Sequence, residues 1–166
     1  MPKIAIIYHS ESGNTEAMAV MVAGGCRSVA GVDEVRLMHW DAVDRDYLDQ
    51  CRAVILGSPN YEGCCSWQMK KFLDTSADAA PLADKLGGVF VTQNWPGGGG
   101  GSFAEMTMIA GMLVRGMMIY AGGIARGHPP IHFGAVARRI PEGIDRERAI
   151  KLGVNIGEKT VELWGK

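Results

Sequence analysis

Five short apolar runs recur along the chain, at 3–8 ("KIAIIY"), 34–38 ("EVRLM"), 53–58 ("AVILGS"), 86–93 ("LGGVFVTQ") and 116–122 ("GMMIYAG"). They are nearly continuous in Ile, Val, Leu and Met instead of strictly alternating with polar residues, as strands are when both faces of a parallel sheet are covered. Segments of helical periodicity separate them, at about 15–29, 67–75, 103–115 and 145–163, the last with Asp145 as its cap. The stretch 40–50 holds a short helix, whereas 127–143 is too rich in Pro and Gly for one. Right-handed crossovers then leave few arrangements. The expected fold is α/β, an open doubly wound five-stranded parallel sheet of order 2-1-3-4-5 with helices on both faces. At 166 residues, without a visible repeat, the chain fits a single domain, 1–166.

Charge narrows the function. Seventeen basic and eighteen acidic side chains leave a net charge of -1, which creates no field for steering onto nucleic acid or an anionic membrane. No apolar run is long enough to span a bilayer, and "MPKIAIIYHS" reads as a first strand rather than a signal peptide, so the cytoplasm is the default compartment. Four cysteines without a CxxC pair are read as reduced thiols, the adjacent Cys64 and Cys65 included. No metal site is expected: His128 and His132 have no carboxylate or cysteine beside them. His9 is read as structural or loop-facing and His39 has no evident partner, while the methionines at 106, 108, 112, 117 and 118 are read as packing.

Ligands in doubly wound sheets bind outside the carboxyl ends of the strands, so the loops after strands one, three and four are the ones to inspect. The first holds Ser10, Glu11, Ser12, Gly13, Asn14 and Thr15. Its hydroxyl and amide groups, with the amino end of the following helix, suit either a helix cap or a phosphate cradle. It lacks the GK[ST] ending of an ATP-binding loop and the GxGxxG of a dinucleotide fold, and no lysine follows, so one terminal phosphate suffices. The second loop is "SPNYEGCCSW" (58–67) and the third "TQNWPGGGGGS" (92–102). Tyr61, Trp67 and Trp95 offer flat surfaces there, and the glycine run offers unobstructed N–H groups, with a flexible surface tract as the alternative.

The stretch "IIYHSESGNTEAMAVMV" (6–22) resembles the phosphate-loop signature of flavodoxins. With "GSPNYEG", "WQMKKFLD", the glycine-rich loop and "RGMMIY", the chain resembles the WrbA-like NAD(P)H:quinone oxidoreductase branch of the flavodoxin-like superfamily over most of its length. The resemblance implies non-covalent FMN, its phosphate in the first loop and its ring between the second and third. The implied cofactor residues are Ser10 to Thr15, then Pro59, Asn60, Tyr61, Glu62 and Gly63, and Thr92, Gln93, Asn94, Trp95, Gly97, Gly98 and Gly99. Glu62 is expected to point to solvent and Glu11 to offer only its N–H, because a carboxylate beside a phosphate or a reduced flavin is unfavourable. Trp67 and His132 are candidate substrate contacts, and no side chain is required as a catalytic nucleophile.

The leading expectation is an FMN oxidoreductase taking electrons from NAD(P)H and passing them to a quinone or similar acceptor. The alternatives are a flavodoxin-type carrier between redox proteins and a non-catalytic phosphate-ligand protein. A homodimer or homotetramer would accompany the reductase reading. However, a tryptophan before strand four and a histidine late in the next helix help form the quinone pocket in that branch. The matching stretches here, "SADAAPLAD" (76–84) and "GMLVRGMM" (111–118), contain neither. The resemblance therefore reaches FMN binding more securely than quinone reduction or tetramer formation.

Overall fold

The computed structural model describes residues 1–75, 82–95 and 99–165. The elements follow the expected alternation: β1 (Lys3–Tyr8), α1 (Asn14–Arg27), β2 (Glu34–His39), α2 (Arg45–Gln50), β3 (Cys51–Tyr61), β4 (Cys64–Cys65), α3 (Trp67–Thr75), β5 (Leu86–Gln93), α4 (Gly101–Val114), β6 (Met118–Ile119), β7 (Ala135–Arg138) and α5 (Gly143–Trp164). The sheet runs β2-β1-β3-β5-β6, with every pair on that path parallel. This is the doubly wound order read from the sequence.

Period-two alternation within the apolar strands decides which residue meets which helix layer. Ile4, Ile6, Ala53, Ile55 and Phe90 point to one face, where they pack with Met18, Val22 and Cys26 of α1 and Ala149, Leu152 and Ile156 of α5. Ala5, Ile7, Val54, Leu56, Val89 and Val91 point to the other, against Met69, Phe72 and Leu73 of α3 and Met108 and Met112 of α4. The two cores leave the carboxyl ends of β1, β3 and β5 at one edge, where the three loops emerge.

Three expectations are corrected. Strand five is not one run: Gly116 and Gly122 adopt left-handed φ angles of 78° and 90°, so only Met118–Ile119 forms a strand, against Leu86 and Gly87. The chain leaves the sheet and returns within 127–143 as β7, which pairs with Phe90–Gln93 of β5. Asp145 is not the cap of α5; Glu142 occupies that position, and Asp145 sits in the first turn, accepting from Arg138 N–H at 3.3 Å. Of the five methionines assigned to packing, Met108, Met112 and Met117 are buried but Met106 and Met118 are 43% exposed.

Candidate functional site

Strand β1 ends against β3, with His9 N–H donating to Gly57 carbonyl at 3.1 Å, and the chain then turns into α1. Gly13 at the helix start has φ 87°, a region costly for residues with a Cβ. Its N–H donates to Ser10 Oγ at 3.1 Å, so the serine stabilises the turn and not the helix, and no side chain caps α1. The helix therefore presents unsatisfied N–H groups and its positive end to the loop. Helix α4 differs in that Gln93 Oε1 accepts from Gly101 N–H at 3.0 Å, satisfying the first of its N–H groups. At the start of α3, Ser66 Oγ accepts from Met69 N–H at 3.3 Å. Of the three helix starts that follow β1, β3–β4 and β5, that of α1 is therefore the one without such a side-chain acceptor among the described residues.

A cavity of about 190 Å³ lies before α1, lined by Glu11, Ser12, Asn14, Thr15, Pro59, Asn60, Tyr61, Thr92, Gln93 and Asn94. All three predicted loops thus meet at one place. Buried Thr15 and Thr92 join the first and third through hydroxyls 2.7 Å apart. Removing one of them leaves the other unpaired, so Thr15→Val is expected to lower stability by about 1–3 kcal/mol. Because the contact also sets the spacing of two cavity walls, roughly tenfold weaker binding of the FMN that the sequence resemblance implies, a difference of about 1.4 kcal/mol, should accompany it in a fluorescence titration.

A second cavity of about 600 Å³ adjoins the first, lined by Asn60, Tyr61, Glu62, Gly63, Asn94, Trp95, Gly99 and Gly100. Its near wall is a hairpin missed in the sequence: β4 pairs antiparallel with the end of β3, Asn60 opposite Cys65 and Tyr61 opposite Cys64. The two-residue turn is Glu62 at φ 52° and Gly63 at φ 81°, which matches the twist of a tight hairpin. The "YEGC" spacing was the signal, weaker than Asn-Gly because a glutamate with positive φ is uncommon. Asn60 belongs to both cavities; its Nδ2 donates to Gly99 carbonyl while its buried Oδ1 has no partner among the described residues. A buried acceptor left unpaired is a place for a ligand donor.

Behind Tyr61 lies a polar cluster. Buried His9 approaches Ser66 Oγ through Nδ1 at 3.1 Å, and Ser66 N–H donates to Ser58 Oγ at 2.8 Å. The His9 ring meets Tyr61 edge-on, centroids 6.3 Å apart. Burial, then the neighbouring His39, holds the His9 imidazole below its ordinary pKa. Tyr61 donates to Glu11 Oε2 at 2.9 Å. Burial first, and then that hydrogen bond and charge, push the phenol up to about 12. The Glu11 carboxylate is thus turned onto Tyr61, although the residue lines the smaller cavity; Glu62 is exposed. His39, expected to lack a partner, bonds Asp41 Oδ1 and contacts the Tyr8 ring, a pairing invisible in sequence because the loop after β2 creates it.

Two candidates stand apart. Trp67 starts α3, 63% exposed, and lines neither cavity but a third groove with Lys70 and Lys71 that meets them at Tyr61. His132 precedes β7, whose far end, Arg138, is the part that reaches Gln93 at the loop edge, and it lines neither cavity. Gly97 and Gly98 lie outside the described residues, as do 76–81 of the stretch compared with the quinone pocket. All four cysteines are free thiols. No metal-binding group of three His, Cys, Asp or Glu occurs among the described residues. Likewise, no helix among them is long and apolar enough to cross a membrane.

An uncapped helix start, three polar loops converging on it and an adjoining aromatic-walled cavity define a phosphate-ligand protein of doubly wound fold. The flavodoxin family model matches residues 6–107. A flavodoxin from Clostridium saccharobutylicum is 37% identical over 163 residues, 98% of this chain and 99% of the relative. An NAD(P)H dehydrogenase (quinone) from Archaeoglobus fulgidus is 27% identical over 197 residues, covering 98% and 100%. A solved archaeal flavodoxin superposes with a TM-score of 0.74 at 26% identity, over 95% of this chain and 98% of that one. This chain belongs to the flavodoxin family, whose cofactor is FMN held without a covalent bond.

The residues present fit that cofactor. The open amino end of α1 beside Ser12, Asn14 and Thr15 suits a single phosphate, and the orphaned Asn60 Oδ1 awaits a donor at the junction with the wider cavity.

Proposed function

We propose that this single 166-residue domain is an FMN-dependent electron-transfer protein of the flavodoxin type, exchanging electrons with other redox proteins. The observation that carries this reading is the exposure of the two aromatic side chains on the ring cavity, 37% for Tyr61 and 78% for Trp95. They leave the cavity open at the molecular surface, where an electron partner can dock against it. When bound, FMN supplies electron transfer in steps of one or two through its ring.

The chain's own residues do the remaining work. Ser10 shapes the turn, while Ser12, Asn14, Thr15 and the N–H groups opening α1 bind the phosphate. Asn60 and Asn94 span the two cavities and orient the ligand between them. Tyr61 and Trp95, which line the wider cavity, would flank the ring. Tyr61 is held in place by Glu11 on its hydroxyl and His9 at its edge. A Cβ at Gly99 would lie 2.9 Å from Trp95 carbonyl oxygen and one at Gly100 3.1 Å from Gly63 Cα, so glycine at these positions lets the loops around the cavity pack against each other.

A second reading, NAD(P)H-dependent reduction of a small acceptor such as a quinone, is favoured by two observations. The net charge of -1 is weak for steering onto a basic protein partner, and the Archaeoglobus relative carrying that activity in its name aligns over the whole chain. Reconstitution with FMN followed by anaerobic redox titration separates the two. The carrier reading expects a yellow protein with two separated one-electron potentials and no bleaching by NADH or NADPH. Rapid bleaching by either nucleotide replaces it with the reductase, and a colourless protein that ignores FMN overturns both.

A further inference from the structure

We propose that the exposed strip along α3, from Tyr61 over Trp67 to Lys71 and Arg45, is the docking surface for an acidic redox protein, an inference that rests on the electron-carrier reading and supplies that partner's chemistry. A groove of about 550 Å³ runs along the helix, with Tyr61, Cys65, Trp67, Lys70, Lys71 and Asp74 in its walls. Another of about 370 Å³, bordered by Trp40, Val43 and Arg45, continues it and shares Lys71. Tyr61 also lines both ligand cavities, so whatever fills the strip lies against a wall of the site. Trp67 is 63% exposed, yet its ring is propped edge-on against Trp40, centroids 5.9 Å apart, and Lys71 Nζ lies 5.8 Å from the Trp40 ring. A large aromatic held in place while its outer surface stays bare suits an interface anchor, because little side-chain freedom is left to lose on binding.

Charge selects the occupant. Both carboxylates on the strip are already engaged, Asp74 by Lys70 at 2.6 Å and Asp41 by His39. Lys71 and Arg45 are exposed and have no carboxylate partner among the described residues. Two uncompensated cations, on a chain whose net charge is -1, make this face attractive to an acidic surface. Glu62, exposed at the turn of the neighbouring hairpin, has the opposite sign. A partner's acidic groups are thus drawn toward α2 and α3 and repelled from the turn, which orients it on the site. A free anion would use the cations and leave Trp67 wet, whereas a protein surface with an apolar centre and an acidic rim covers both. In the docked pair one electron crosses beside Tyr61, oxidising one protein and reducing the other, and no bond is made or broken.

The test uses the FMN-loaded full chain, with an acidic two-iron ferredoxin as probe and basic cytochrome c as its opposite. Calorimetry of oxidised ferredoxin binding to the oxidised protein involves no electron transfer and so reports docking alone. Wild type is compared with Lys71→Glu, Arg45→Glu, Trp67→Ala and, as control on α5 across the sheet, Arg146→Glu. Lys71→Glu and Arg45→Glu should each bind ferredoxin roughly tenfold more weakly at low salt and nearly as wild type does at high salt. Trp67→Ala should bind more weakly at every salt concentration, Arg146→Glu should match wild type, and FMN affinity should be unchanged in the charge variants. No saturable binding of ferredoxin, binding that Lys71→Glu and Arg45→Glu leave unchanged, or tighter binding of cytochrome c overturns the proposal. Stopped-flow mixing with reduced ferredoxin tests the carrier reading separately. Docking without electron exchange keeps the strip and removes the carrier; exchange indifferent to Lys71 and Arg45 keeps the carrier and removes the strip.

Discussion

Gly153→Ala is expected to lower unfolding stability by about 3 kcal/mol or more in urea denaturation, among the largest effects of any single-methyl addition to this chain. Helices α1 and α5 cross at Gly25 and Gly153. A Cβ at Gly153 would lie 2.0 Å from Val22 carbonyl oxygen and 2.8 Å from Cys26 nitrogen; one at Gly25 would lie 2.1 Å from Ile150 carbonyl oxygen. All of these are backbone atoms, which cannot swing aside as a side chain does. The helices must separate, loosening Met18, Val22, Leu152 and Ile156 together. Gly24→Ala is the matched control. Its Cβ meets nothing within 4 Å, so it should gain up to ~1 kcal/mol from helix propensity. Equal losses at both positions would show that glycine backbone freedom, and not close approach, is what matters.

Glu105→Gln is expected to make the protein more stable at high pH and to flatten its pH dependence. Glu105 is 2% exposed and its Oε1 has no partner among the described residues, while burial pushes its carboxyl up to about 8. A carboxyl whose pKa is raised by folding helps the folded state while protonated. That contribution is complete below the unfolded value near 4.5 and is lost as pH rises through about 8. The slope for one proton is about 1.4 kcal/mol per pH unit, so wild type should lose on the order of 4 kcal/mol across that interval. Thermal or urea unfolding from pH 4 to pH 9 reads the difference. The two proteins should agree within about 1 kcal/mol at pH 4 and diverge steadily above pH 5. Parallel curves would mean that the carboxylate finds water or a cation when it ionises.

The fold was largely legible because its signals are local. Near-continuous apolar strands can be buried only between two helix layers, and α3 and β5 appear within the same bounds that the periodicity assigned. Strand five failed for a local reason of another kind. Left-handed glycines at 116 and 122 cut it short, and the edge it vacates is filled by β7 from a Pro- and Gly-rich stretch. No pattern within 134–139 separates an edge strand of four residues from a loop.

The site was legible in its loops but not in its contacts. Ser12, Asn14, Thr15, Asn60, Tyr61 and Thr92 stand out by composition and position, and all line one cavity. What joins them joins residues far apart in the chain: Thr15 to Thr92, Tyr61 to Glu11, His9 to Ser66. Trp67 and His132, read as substrate contacts, line neither cavity: Trp67 borders a groove that meets them at Tyr61, and His132 lies in the segment before β7. The amino-acid sequence by itself determined the strand order, the helix layers and the loops that meet at the sheet edge, since burial period and glycine placement act over a few residues. Only the folded chain decided which helix end stays open, which carboxyl is buried and which surface cations stay unpaired, because each depends on atoms brought together across dozens of residues.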